Sequence, residues 1–103
     1  MSGFIYNVTT NVQNGIHAPW LKWMREEHIP QMIATGCFTK AVILRLRSIG
    51  DSEGQTYAVQ YYTANEAMYT QYLAAFSAQL RAAAFEKWGD QTVSFRTFME
   101  VVN

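Results

Sequence analysis

The sequence predicts an α+β fold, one antiparallel sheet with two helices packed on a single face. Three observations carry that expectation. Four segments alternate residue types with period two, two longer segments repeat apolar residues at helical spacing, and their order along the chain is β-α-β-β-α-β. At 103 residues the chain suits one domain, residues 1–103, built on a single core.

Phe4 to Thr10 sets Phe4, Tyr6 and Val8 against Ile5, Asn7 and Thr9, as a strand with two unlike faces does. The polar run Asn11–Gly15 ends it. Pro19 suits the first turn of a helix, where its missing amide hydrogen is not needed. On that helix Trp20, Leu21, Met24 and Met32 share one stripe, with His28 in its middle. Pro30 removes the donor that would bond the Glu26 carbonyl, so a kink or break is expected beside His28. Gly36 is the expected stop.

Phe38 to Arg47 reads as a second strand, with Phe38, Val42, Leu44 and Leu46 toward the helices and Thr39, Ala41, Ile43, Arg45 and Arg47 away from them. Gly50–Gly54 is a turn by composition. The third strand, Thr56 to Tyr62, sets Tyr57, Val59 and Tyr61 against Ala58, Gln60 and Tyr62. Thr63 and Glu66 fit a capping box. Behind it Tyr69, Tyr72, Leu73, Phe76, Leu80 and Ala83 recur at helical spacing, and the helix ends near Trp88-Gly89-Asp90. The last strand, Thr92 to Val102, is expected to turn Val93, Phe95, Met99 and Val101 inward and Ser94, Arg96, Phe98 and Glu100 outward.

This order is that of the ferredoxin-like split βαβ. The sheet face turned from the helices would carry Ile5, Asn7, Thr9, Gln60, Tyr62 and Phe98 beside Ile43, Arg45, Arg47, Arg96 and Glu100. It is too apolar to stay wet. The simplest cover is a second copy about a two-fold axis, so a homodimer through the sheet face is expected, with the charged groups paired across it.

Formal net charge is zero and no basic run occurs, which argues against nucleic acid and anionic membranes as partners. No long apolar run or signal-like segment is present, so no membrane span is expected. Cys37 is the single cysteine, and a reducing cytoplasm is its natural setting. His17 and His28 have no companions at metal-ligand spacing, so no metal is expected. No phosphate-cradling loop is present and no cofactor is expected. Val12-Gln13-Asn14-Gly15-Ile16 echoes an acylphosphatase loop but lacks its arginine. Gly54 to Tyr61 lacks the exposed aromatics of an RNA-binding strand.

His28 is the candidate catalytic residue, since an imidazole near its ordinary pKa of ~6.5 serves readily as acid or base. Asn7, Trp20, Met24, Gln60 and Tyr62 are the candidate ligand-binding residues, the aromatic and thioether groups as walls and the polar ones as orienting groups.

The helix ending in His28-Ile29-Pro30, followed by Gly36-Cys37-Phe38 and a long strand, resembles the dimeric α/β-barrel superfamily and its EthD-like branch. The set Trp20, Trp23, Met24, His28, Pro30, Gly36 and Phe38 is most similar to an uncharacterised bacterial family of that superfamily, a domain of unknown function. The resemblance implies two ferredoxin-like sheets packed face to face, with a small apolar or aromatic ligand in a cleft beside the sheet. Members include cofactor-independent monooxygenases, haem-degrading enzymes, lactone isomerases and proteins without demonstrated catalysis. Two expectations follow from it: a binding or structural module, or a monooxygenase- or isomerase-like enzyme using His28. The haem-degrading branch is disfavoured, because no histidine lies between Asn65 and Trp88.

Overall fold

The computed structural model describes residues 3–50 and 54–103. The chain runs β1 (Phe4–Val12), α1 (His17–Trp23), a π-helical turn (Met24–His28), α2 (Ile29–Ala34), β2 (Lys40–Arg45) and β3 (Gln55–Thr63). It continues through α3 (Glu66–Ala75), α4 (Ser77–Trp88), a 3-10 turn (Gly89–Gln91) and β4 (Thr92–Glu100). The four strands form one antiparallel sheet in the order β2-β3-β1-β4. The expected turn at 50–54 falls largely on residues outside the described ones.

Both helical layers pack on the sheet face that carries Tyr6, Tyr57 and Tyr61. Trp20 of α1 meets Tyr57 at 5.2 Å between ring centroids, and Tyr72 of α3 meets Tyr6 at 5.5 Å. Phe38 closes this aromatic core against Tyr61 and Tyr72, at 5.6 and 5.1 Å. Such tilted and edge-on ring pairs add specific contacts to the burial of large apolar area.

The first helix does not break at Pro30. The backbone N–H of Ile29 bonds the Met24 carbonyl, five residues back, so one wide turn absorbs the donor that Pro30 lacks. Gly36, at φ 78°, adopts the left-handed conformation that ends the helix after Thr35. The second helix differs from the expected single rod. Phe76, at φ −128°, leaves the helical region and separates α3 from α4. The cap also moves: the Asn65 side chain accepts the Met68 N–H at 3.0 Å, while Thr63 still belongs to β3.

Register corrects two of the four strand faces. Arg96 lies opposite Val8, and Phe98 opposite Tyr6, so Ser94, Arg96, Phe98 and Glu100 share the helix side. Val93, Phe95 and Met99 face outward, the reverse of the expectation. The β4 segment has large apolar residues at both parities, and alternation alone does not choose between them. In β2, Ile43 lies opposite Val59, so Ala41, Ile43 and Arg45 face the helices while Val42 and Leu44 face away. Counting from Phe38 misleads because Phe38 precedes the strand. Thr39 N–H bonds the carbonyl of Tyr62, which is also the partner of Lys40, so the parity slips by one there.

The open face is therefore more apolar than expected. Leu44 is 44 % exposed, Phe95 64 % and Val93 67 %.

Candidate functional site

A pocket opens between the helices and strands β3, β1 and β4, with Val8, Val59 and Tyr61 in its floor. Its cavity volume is about 60 Å³, and it opens to solvent at one side. That takes a few waters and is too little for a macrocyclic cofactor, so an aromatic occupant would extend into the open mouth. Trp20, Trp23 and Trp88, all three tryptophans of the chain, line it.

The π turn places His28. As the last residue of that turn its ring stacks on Trp23, centroids 4.7 Å apart and planes 23° apart. Trp88, at the end of α4, meets Trp23 edge-on at 5.9 Å. The His28 Nδ1 and Trp88 Nε1 atoms are buried and have no hydrogen-bond partner. Burial, with the nearby positive charge of Arg96 as the second cause, lowers the His28 pKa to about 4. At neutral pH the imidazole is therefore uncharged. Burial also raises the phenols of Tyr61 and Tyr72 well above their usual range, and both stay protonated.

Arg81 of α4 and Arg96 of β4 stand where the pocket meets the surface. The Arg81 Nη2 donates to Tyr6 Oη at 3.4 Å. Both arginines, with Ala84, Thr92 and Ser94, also line a shallower depression outside, where Phe85 is 70 % exposed. The depression is the outward continuation of the pocket. Inside, the hydroxyls of Thr10 and Ser94 satisfy each other at 2.7 Å.

Of the residues singled out from sequence, Trp20, Met24 and His28 come together around this pocket. Asn7, Gln60 and Tyr62 do not, because they lie on the open face of the sheet. Asn7 pairs with Gln60 in register and its amide donates to Thr9 Oγ1 at 2.9 Å. The Tyr62 ring lies beneath the Lys40 ammonium, 4.6 Å from its centroid. None of the three can orient a ligand at His28 through the sheet. His17 begins α1, and its Nδ1 is buried without a partner.

Sequence reasoning missed Trp88, Arg81 and Arg96. Arg96 was hidden by the parity of β4. Arg81, Ala84 and Trp88 recur at i, i+3 and i+7 and so share one helix face, and that spacing is the signal that could have found them. Among the described residues no three His, Cys, Asp or Glu side chains converge as a metal site, and no helix is long and apolar enough to cross a membrane. Cys37 is buried and free, with its backbone N–H bonded to Thr35 Oγ1 at 3.2 Å.

Among solved structures, the fold is similar to that of a dimeric ferredoxin-like protein from an uncultured marine organism, with a TM-score of 0.72 and 13 % sequence identity. The match covers 100 % of this chain and 98 % of that one, and it shows the ferredoxin-like fold. No curated protein matches the chain significantly. A family model described as a domain of unknown function (DUF4286) matches residues 3–102. With almost the whole length matched, the chain belongs to that domain-of-unknown-function family.

Proposed function

We propose that the protein is a homodimeric small-molecule-binding module, with a small apolar or aromatic ligand in the pocket beside His28 and a second copy over the open sheet face. The observation that carries this reading is that His28 and Trp88, whose ring nitrogens Nδ1 and Nε1 are buried without partners, both line one aromatic pocket. Each such group costs about 1–3 kcal/mol when left unpaired. An occupant that accepts from the indole and bonds the imidazole recovers that cost, while the aromatic walls supply affinity. The exposed Leu44, Val93 and Phe95 support the assembly, as does the dimeric state named for the marine protein of like fold. The lone buried thiol of Cys37 is consistent with a cytoplasmic setting.

One observation favours a second reading, a cofactor-independent monooxygenase- or isomerase-like enzyme. His28 is neutral at pH 7 and can accept a proton. No carboxylate among the described residues hydrogen-bonds the ring to orient it, so binding without turnover is the better-supported reading.

Titration with benzyl alcohol tests the pocket. Because every tryptophan lines it, occupancy is expected to give a saturable fluorescence change and to move the Trp88 indole N–H resonance. Trp88→Phe, which removes the donor and keeps a ring, should weaken binding by about tenfold. A wild-type indole resonance that stays fixed at saturating benzyl alcohol, with unchanged fluorescence, would refute the proposal.

A further inference from the structure

We infer that the ligand is an anion, a small aromatic carboxylate whose ring lies among the tryptophans and whose charge meets Arg81 and Arg96 at the pocket mouth. The inference rests on the binding reading above and specifies its ligand. Arg81 and Arg96 come from different elements, α4 and β4, yet both line the pocket and the depression outside it. Neither space is lined by an aspartate or glutamate, although the chain has eight of them. Among the described residues neither guanidinium is ion-paired, and the hydrogen bond made by Arg81 goes to the Tyr6 hydroxyl. Both arginines line the same mouth, and an anion seated there would be attracted by each of them.

The carboxylate class follows from shape as well as charge. A guanidinium fork matches a planar carboxylate in bidentate fashion, and the walls behind it are flat aromatic rings. A ring hydroxyl at the far end would lie toward His28 and Trp88, which line the same pocket and have buried ring nitrogens without partners. With His28 uncharged, discrimination by charge falls to the two arginines alone.

The test compares para-hydroxybenzoate with its neutral isostere para-hydroxybenzamide on the full chain, by calorimetry and tryptophan fluorescence. Wild type is expected to prefer the benzoate by about tenfold or more. Arg96→Gln and Arg81→Gln should each remove most of that preference, weakening the amide far less than the benzoate, and Arg96→Lys should keep part of it. Added salt should weaken the benzoate only. Equal affinity for the two ligands, or a benzoate affinity indifferent to both glutamine variants, overturns the anion inference and leaves the pocket reading standing. Failure of both ligands to bind overturns both.

Discussion

On the face beneath its helices the sheet combines Tyr6, Val8 and Tyr61 with Thr10, Ser94 and Arg96, whereas the face without helices presents Val42, Leu44, Val93 and Phe95. In an ordinary antiparallel sheet the apolar face is covered and the polar face is wet. Here the covered face holds a guanidinium, two hydroxyls and a buried imidazole above them, and the uncovered one holds exposed aliphatic and aromatic side chains. The difference separates two tasks. Polar groups placed inside, between walls of indole, make a site that can recognise something. Apolar groups placed outside, on the two edge strands of the open face, make the surface proposed to meet a second copy.

The contrast breaks most readily on the outer face. At the proposed two-fold interface, Phe95→Asp would bury an uncompensated carboxylate twice, and the proposed dimer should weaken by about a thousandfold. Sedimentation velocity is expected to show monomers with unchanged circular dichroism. A variant that remains dimeric would mean that the partner sits elsewhere.

On the inner face the matching probe is pH. The folded-state pKa of His28, about 4, lies below its ordinary value of 6.5. Between these values the unfolded chain binds more protons, so stability rises with pH across this window. From pH 7 down to pH 4 the residue should remove up to about 3 kcal/mol, and below that its effect is constant. Urea unfolding of wild type and His28→Gln as a function of pH isolates this contribution. Parallel curves for the two proteins would show that the ring is not desolvated.

The register that assigns residues to the two faces depends in part on Gly54. Its φ of +120° disfavours any side chain, and a Cβ there would collide with the Val12 carbonyl. Gly54→Ala should cost about 2 kcal/mol in thermal or chemical unfolding. The smallest effect is expected for Trp88→Phe without ligand. It deletes an unpaired donor and keeps most of the ring, so stability should change by less than about 1 kcal/mol. A large loss would reveal a partner for that indole.

Much of this arrangement is legible in the chain. The β-α-β-β-α-β order, the paired faces of β1 and β3, the His28 stripe and the Gly36 stop all follow from period, capping and turn chemistry. The faces of β2 and β4 do not. Edge strands meet a neighbour on one side only, and both of these have large apolar residues at either parity, so the deciding constraint is pairing with β3 and β1. That ambiguity also explains the misplaced site. Trp20, Met24 and His28 were readable from one helix, but Arg96 joins them only once the β4 register is known. Asn7, Gln60 and Tyr62 drop out because a sheet stands between them and the imidazole.

Static light scattering of the wild-type protein at micromolar concentration tests the division between the two faces most directly. A mass of about twice the 11.8 kDa chain is expected. A single species at the chain mass would contradict it, because Leu44, Val93 and Phe95 would then face water with nothing to cover them.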